Sequence, residues 1–158
     1  MTNNTTADRF VYVTYIRTTP AKLWEALTEV AFTREYWWGM VLESDWRVGS
    51  PWAMKFADGR PNTTGVVLES DPPRRLVLDW HNEYNVELIG EGAARASFDL
   101  EEMGEMVKLT VVHEAQPKLL DAVSGGWPKV LASLKTFIET GKALSNPGNC
   151  AASKEQAA

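Results

Sequence analysis

Two histidines and seven tryptophans are the residues of this chain best equipped for chemistry or recognition. Strand parity places His113 with Val107, Leu109 and Val111, on the inward face of an apolar run. An imidazole there could orient a polar group of a guest or exchange a proton near neutral pH. The blander role is a buried ring bonded to a backbone carbonyl. His81 falls with Asp79 on the opposite, wetter face. Two histidines of opposite parity make poor partners for a metal, and neither an HExxH nor a His-x-His spacing occurs, so no metal site is expected. Trp52 and Trp80 share the apolar faces of their strands, and Trp127 opens a helical stripe. They could be flat walls around a ligand, with an indole N–H to orient it, or simply core. Trp37 and Trp38 cannot both point inward from one helix, so at least one is expected at a rim.

The carboxylates carry less. Asp99, Glu101 and Glu102 fall on or beside a solvent face. If Val66 and Leu68 point inward, Glu69 is outside, as a strand-end ion pair to Arg74 or Arg75. No Ser/His/Asp arrangement, nucleophile elbow, P-loop or dinucleotide fingerprint is present, and no residue is assigned a catalytic role. Tyr84 and Asn85, beside His81, Asn82 and Glu83, lie in a loop long enough to be a lid or a polar connection.

The elements that must hold these side chains follow from the periodicity. Arg9 to Arg17 is β-branched and aromatic, a first strand. Thr19 as N-cap and Pro20 at the first helical position start a short helix to Thr28. A second short helix covers about Val30 to Trp37 and ends at Gly39. Period-two alternation then predicts strands at Trp52–Phe56, Thr63–Ser70, Arg75–His81, Ala94–Glu101 and Met106–Ala115, with Asp58-Gly59 as a hairpin turn. Trp127, Val130, Leu131, Leu134, Phe137 and Ile138 recur at helical spacing, with Pro128 in the first turn and Gly141 closing the far end. The expected order is strand, two short helices, five or six antiparallel strands, long helix: an α+β chain whose curved sheet wraps the final helix. Residues 1–8 are expected to be a flexible N-terminus, 9–144 one domain, and 145–158 a disordered tail.

Composition narrows the function classes. A net charge of −5 with dispersed Lys and Arg argues against a nucleic-acid or anionic-membrane surface. The single cysteine, Cys150, lies in the C-terminal tail and allows neither an internal disulfide nor a cysteine metal cluster. No apolar run approaches the length of a membrane span, and a cytoplasmic location is expected.

Several motifs together resemble a known family. Trp24-Glu25-Ala26-Leu27-Thr28 after Thr-Pro, then Tyr36-Trp37-Trp38, is similar to the opening of AHSA-type domains, the homologues of the heat-shock ATPase activator within the START-like (SRPBCC) helix-grip superfamily. Trp46-Arg47-Val48-Gly49-Ser50-Pro51-Trp52 resembles that family's strand with a glycine before an aromatic. Gly65-Val66-Val67-Leu68-Glu69, then Pro72-Pro73-Arg74-Arg75-Leu76 and Asp79-Trp80, resembles its central signature. Leu109 to His113 and the closing Gly125-Gly126-Trp127 are similar to its last strand and helix. The resemblance covers about residues 9–144. It implies a helix-grip fold with a cavity between sheet and helix, but one fold carries many functions.

The resulting expectation is a protein that holds a small or medium hydrophobic ligand, with no cofactor. Trp52, Met54, Phe56, Leu76, Leu78, Trp80, Phe98, Leu109, Val111, His113, Trp127, Leu131 and Leu134 would line the space. The alternatives are a cyclase- or hydrolase-like cavity enzyme with His113 as acid or base, and a heat-shock ATPase co-chaperone in a stress response. A homodimer remains open.

Overall fold

The computed structural model describes residues 8–146. The N-terminal and C-terminal segments outside that range, with Cys150, lie beyond the described residues. Strand β1 (Asp8–Ile16) leads into helices α1 (Pro20–Thr28) and α2 (Val30–Tyr36). Strands β2 (Val41–Ser44), β3 (Pro51–Lys55), β4 (Pro61–Asp71) and β5 (Arg75–Asn82) follow, then a single turn of helix, α3 (Val86–Ile89). Strands β6 (Ala94–Met103) and β7 (Met106–Ala115) and the long helix α4 (Pro117–Thr140) complete the chain. The seven strands form one antiparallel sheet in the order β1-β7-β6-β5-β4-β3-β2. Helix α4 lies along its concave face with α1 and α2, which is the α+β helix-grip fold.

Local chemistry sets the start of this order. Thr19, in an extended conformation, accepts from the Lys22 N–H at 3.3 Å, and Pro20 begins α1 where its missing donor does no harm. The Tyr36 hydroxyl donates to the Ala26 carbonyl at 3.0 Å and locks α2 onto α1. Helix α2 unwinds through Trp38 and Gly39, both at positive φ, into β2. That strand escapes the alternation because it is only four residues long. Residues 46–49 form a turn, not a strand, and the Gly49 N–H donates to the Val67 carbonyl at 2.8 Å.

Helix α4 begins well before the position that Gly125-Gly126 and Pro128 mark in the sequence. Pro117 is its true first-turn proline. Leu119, Val123, Trp127, Val130 and Leu134 then form one stripe at spacings of three and four, and burial of that stripe outweighs the glycines and the internal proline. Gln116 gives no side-chain cap. Instead the Glu91 carboxylate, from the loop after α3, accepts the N–H groups of Lys118 at 3.0 Å and Leu119 at 2.8 Å. At the far end Gly141 takes the left-handed conformation, and its N–H reaches the Phe137 carbonyl at 2.7 Å.

Strand β4 reverses the parity expected from its sequence. Val67 faces the core, while Val66 and Leu68 are 39% and 40% exposed. A bulge between Val67 and Glu69 then turns Glu69 outward, where it meets Arg75 at 3.0 Å. The ion pair expected for Glu69 exists, for a different reason. On β5, His81 pairs with Asp79 on the outer face as expected, at 2.8 Å. Val77 shares that face yet is buried, between Glu69 and Ser97 in the register of its neighbours.

Candidate functional site

Aromatic side chains fill the centre of the grip. Trp52 on β3 lies across Gly65 of β4 and donates its indole N–H to the Asp79 carbonyl of β5 at 2.8 Å. A Cβ on residue 65 would stand 2.0 Å from that carbonyl oxygen and 2.8 Å from the indole nitrogen, so only glycine allows the crossing. Trp52 packs on Trp80, Trp80 on Trp127, and Trp127 on Trp37, with ring centroids 5.2, 5.9 and 5.6 Å apart. Behind them His113 is wholly buried, edge-on to Trp80 at 4.7 Å. Its Nδ1 accepts the Trp127 indole N–H at 3.0 Å, which puts the ring proton on Nε2. Removal from water pulls the His113 pKa from 6.5 to about 3, so the ring is neutral at physiological pH. His113 thus serves Trp127 as a buried, neutral hydrogen-bond acceptor.

Where α4 crosses the middle of the sheet the packing is nearly complete. A void of about 10 Å³ remains, bordered by Leu76, Leu78, Phe98, Trp127 and Leu131 from the expected set, with Leu27, Tyr36, Trp37, Leu42 and Val130. The substantial cavity, about 460 Å³, lies toward the N-terminal half of α4. Three indoles, Trp37, Trp80 and Trp127, form its apolar wall with Met40, Met54, Leu88 and Leu119. Asn62, Thr63 and Asn82 give it a polar side, and Glu87, Lys118, Asp121 and Lys129 contribute charged positions. Gly125 and Gly126 complete the α4 side, and a Cβ on either would meet nothing within 4 Å.

Of the residues expected from the sequence, the structure brings Met54, Trp80 and Trp127 to this cavity. Trp52, Phe56, Leu109, Val111, His113 and Leu134 reach neither space and belong to the core. Trp37 is buried, and Trp38 is partly exposed with its indole N–H on the Leu144 carbonyl at 2.8 Å. The loop after β5 contributes Tyr84, Asn85 and the short helix α3. Asn82 shapes that loop, since its Oδ1 accepts the N–H groups of Tyr84 and Asn85 at 3.1 and 2.8 Å. The polar residues 62, 63 and 82 and the glycine pair escape an analysis built on apolar alternation. A second depression, about 580 Å³, runs between α1 and the turn at Asp45–Arg47, but mostly exposed side chains border it.

A family model described as Activator of Hsp90 ATPase homolog 1-like protein matches residues 17–139. The chain belongs to that family. Solved structures share its fold. CalU16 from Micromonospora echinospora is 24% identical with a TM-score of 0.69, covering 85% of this chain and 78% of CalU16. The Aha1 dimer from Colwellia psychrerythraea is 20% identical with a TM-score of 0.70, covering 86% and 99%. An HSP90 activator from Plasmodium falciparum is 19% identical with a TM-score of 0.68, covering 84% and 96%. No curated protein matches the chain in sequence. Among the described residues no helix is long and apolar enough to cross a membrane.

Proposed function

We propose that this member of the Hsp90-activator-homologue family binds a small, largely apolar molecule in the cavity beside the N-terminal half of α4. The observation that carries this is the cavity itself. Its volume of about 460 Å³ falls in the range of small-molecule sites, on the order of 300–1,000 Å³. Indole faces wall it, and a few buried polar groups stand where they can orient a guest. Native mass spectrometry of freshly purified protein tests it directly, with a co-purifying small molecule as the expected result. A ligand at 100 times its Kd should also stabilise the fold by about 2.7 kcal/mol. Absence of any adduct, and of any melting shift across aromatic and lipid panels, would remove the proposal.

A second reading has support from the family and from the HSP90 activator of similar fold. Stimulation of a heat-shock ATPase by the purified protein would establish it. An unchanged ATPase rate at saturating protein would dismiss it.

A further inference from the structure

The cavity has one feature that general apolar binding does not require. Between β3 and β4, Met54 stands opposite Thr63 and Lys55 opposite Pro61, leaving Asn62 without a cross-strand partner. Asn62 is therefore the extra residue of a β-bulge. Regular alternation would bury only one of Asn62 and Thr63. With the bulge both are buried, Asn62 at 3% exposure, and both line the cavity.

The Asn62 hydrogen-bond inventory is incomplete. Its Oδ1 accepts the Thr63 hydroxyl at 2.6 Å, and its backbone carbonyl accepts the Glu83 N–H at 2.9 Å. Its Nδ2 has no partner. The Oδ1 of nearby Asn82, another acceptor on the same wall, is already taken by two backbone donors. Buried amide donors are normally satisfied, and this one, covered yet unpaired on a residue that lines the cavity, is a recognition element that a small side-chain rotation would turn to a guest.

We infer that Asn62 orients the guest by donating from Nδ2 to a neutral acceptor oxygen, of ketone, quinone or ether type, on an otherwise apolar ring system. This rests on the binding function proposed above and specifies its ligand chemistry. The tryptophan faces take the rings, and the bulge supplies the single directed polar contact.

The rigid pair 9-fluorenone and fluorene, which differ by one carbonyl, tests the inference through quenching of tryptophan emission. In Asn62→Leu and Asn62→Asp the Kd of fluorenone should rise about 10-fold, while that of fluorene stays within about twofold. A fluorenone-to-fluorene ratio unchanged by both substitutions, with both compounds still binding, overturns the role of Asn62 and leaves the cavity function standing. Failure of both compounds to bind the wild-type protein counts against the two together. The infrared carbonyl stretch of fluorenone bound to the wild-type protein gives a check that needs no variant. It should lie below its value in alkane solvent, and an unshifted band overturns the inference.

Discussion

The two halves of helix α4 use the same secondary structure for opposite ends. Its C-terminal half buries Val130, Leu131 and Leu134 in one cluster with Ile16, Leu23, Leu27 and Leu109. Its N-terminal half buries Leu119 and then presents Ala122, Gly125 and Gly126 to a cavity. The same apolar stripe runs through both. What differs is side-chain volume along the cavity-facing side and the support at each end. A helix-grip fold can thus be dense along one half of its long helix and hollow along the other.

The contrast should be largest in stability. Leu134→Ala in the dense half should cost about 2–5 kcal/mol in urea unfolding, whereas Val123→Ala beside the cavity should cost under about 1 kcal/mol. Equal losses would erase the distinction between the halves.

His113, behind Trp127, predicts the next effect. Its folded pKa of about 3 lies below its unfolded value of 6.5, so the unfolded chain binds the extra proton between those limits. The contribution is fully present above pH 6.5 and is lost as pH falls, by about 1.4 kcal/mol per unit. In His113→Gln, which still offers Trp127 an acceptor, the slope between pH 6.5 and 4.5 should flatten; an identical slope would contradict a buried neutral ring.

Removing the borrowed cap with Glu91→Ala should cost about 1 kcal/mol. It should also speed amide exchange at Lys118 and Leu119 ahead of the rest of α4. Uniform exchange along the helix would show that the hollow half needs no outside support. The smallest change is a gain. Gly126→Ala should stabilise the fold by about 0.5–1 kcal/mol while weakening ligand binding, because the new methyl enters open space at the cavity wall. A tighter complex would mean the glycine does not set the cavity's width.

Much of the dense half was legible in the sequence. Thr19-Pro20, Gly141 and the alternation of β5 through β7 each carry a local physical signal, and the structure follows them. The hollow half was written in signals that cancel. Gly125-Gly126 and Pro128 read as a helix start because each is a poor interior residue, and burial of Leu119 on one side and of Trp127 and Val130 on the other carries the helix across them. Val66, Val67 and Leu68 take the faces opposite to those alternation gave them, on a strand with bulges at Asn62 and between Val67 and Glu69, where a strict period of two breaks. Thr63 and Asn82 are polar residues in buried positions, which hydrophobic patterning passes over. A cavity is a property of unfilled volume between elements, and no single segment encodes it.

Gly65 has a wider meaning for assembly of the sheet. The indole of Trp52 passes through a notch that one missing methyl provides, on its way to a carbonyl two strands away. Sliding β3 by a single position would set the ring over Thr64 or Val66 and reverse its face. Three strands are thereby keyed to one alignment, the one over which α4 packs.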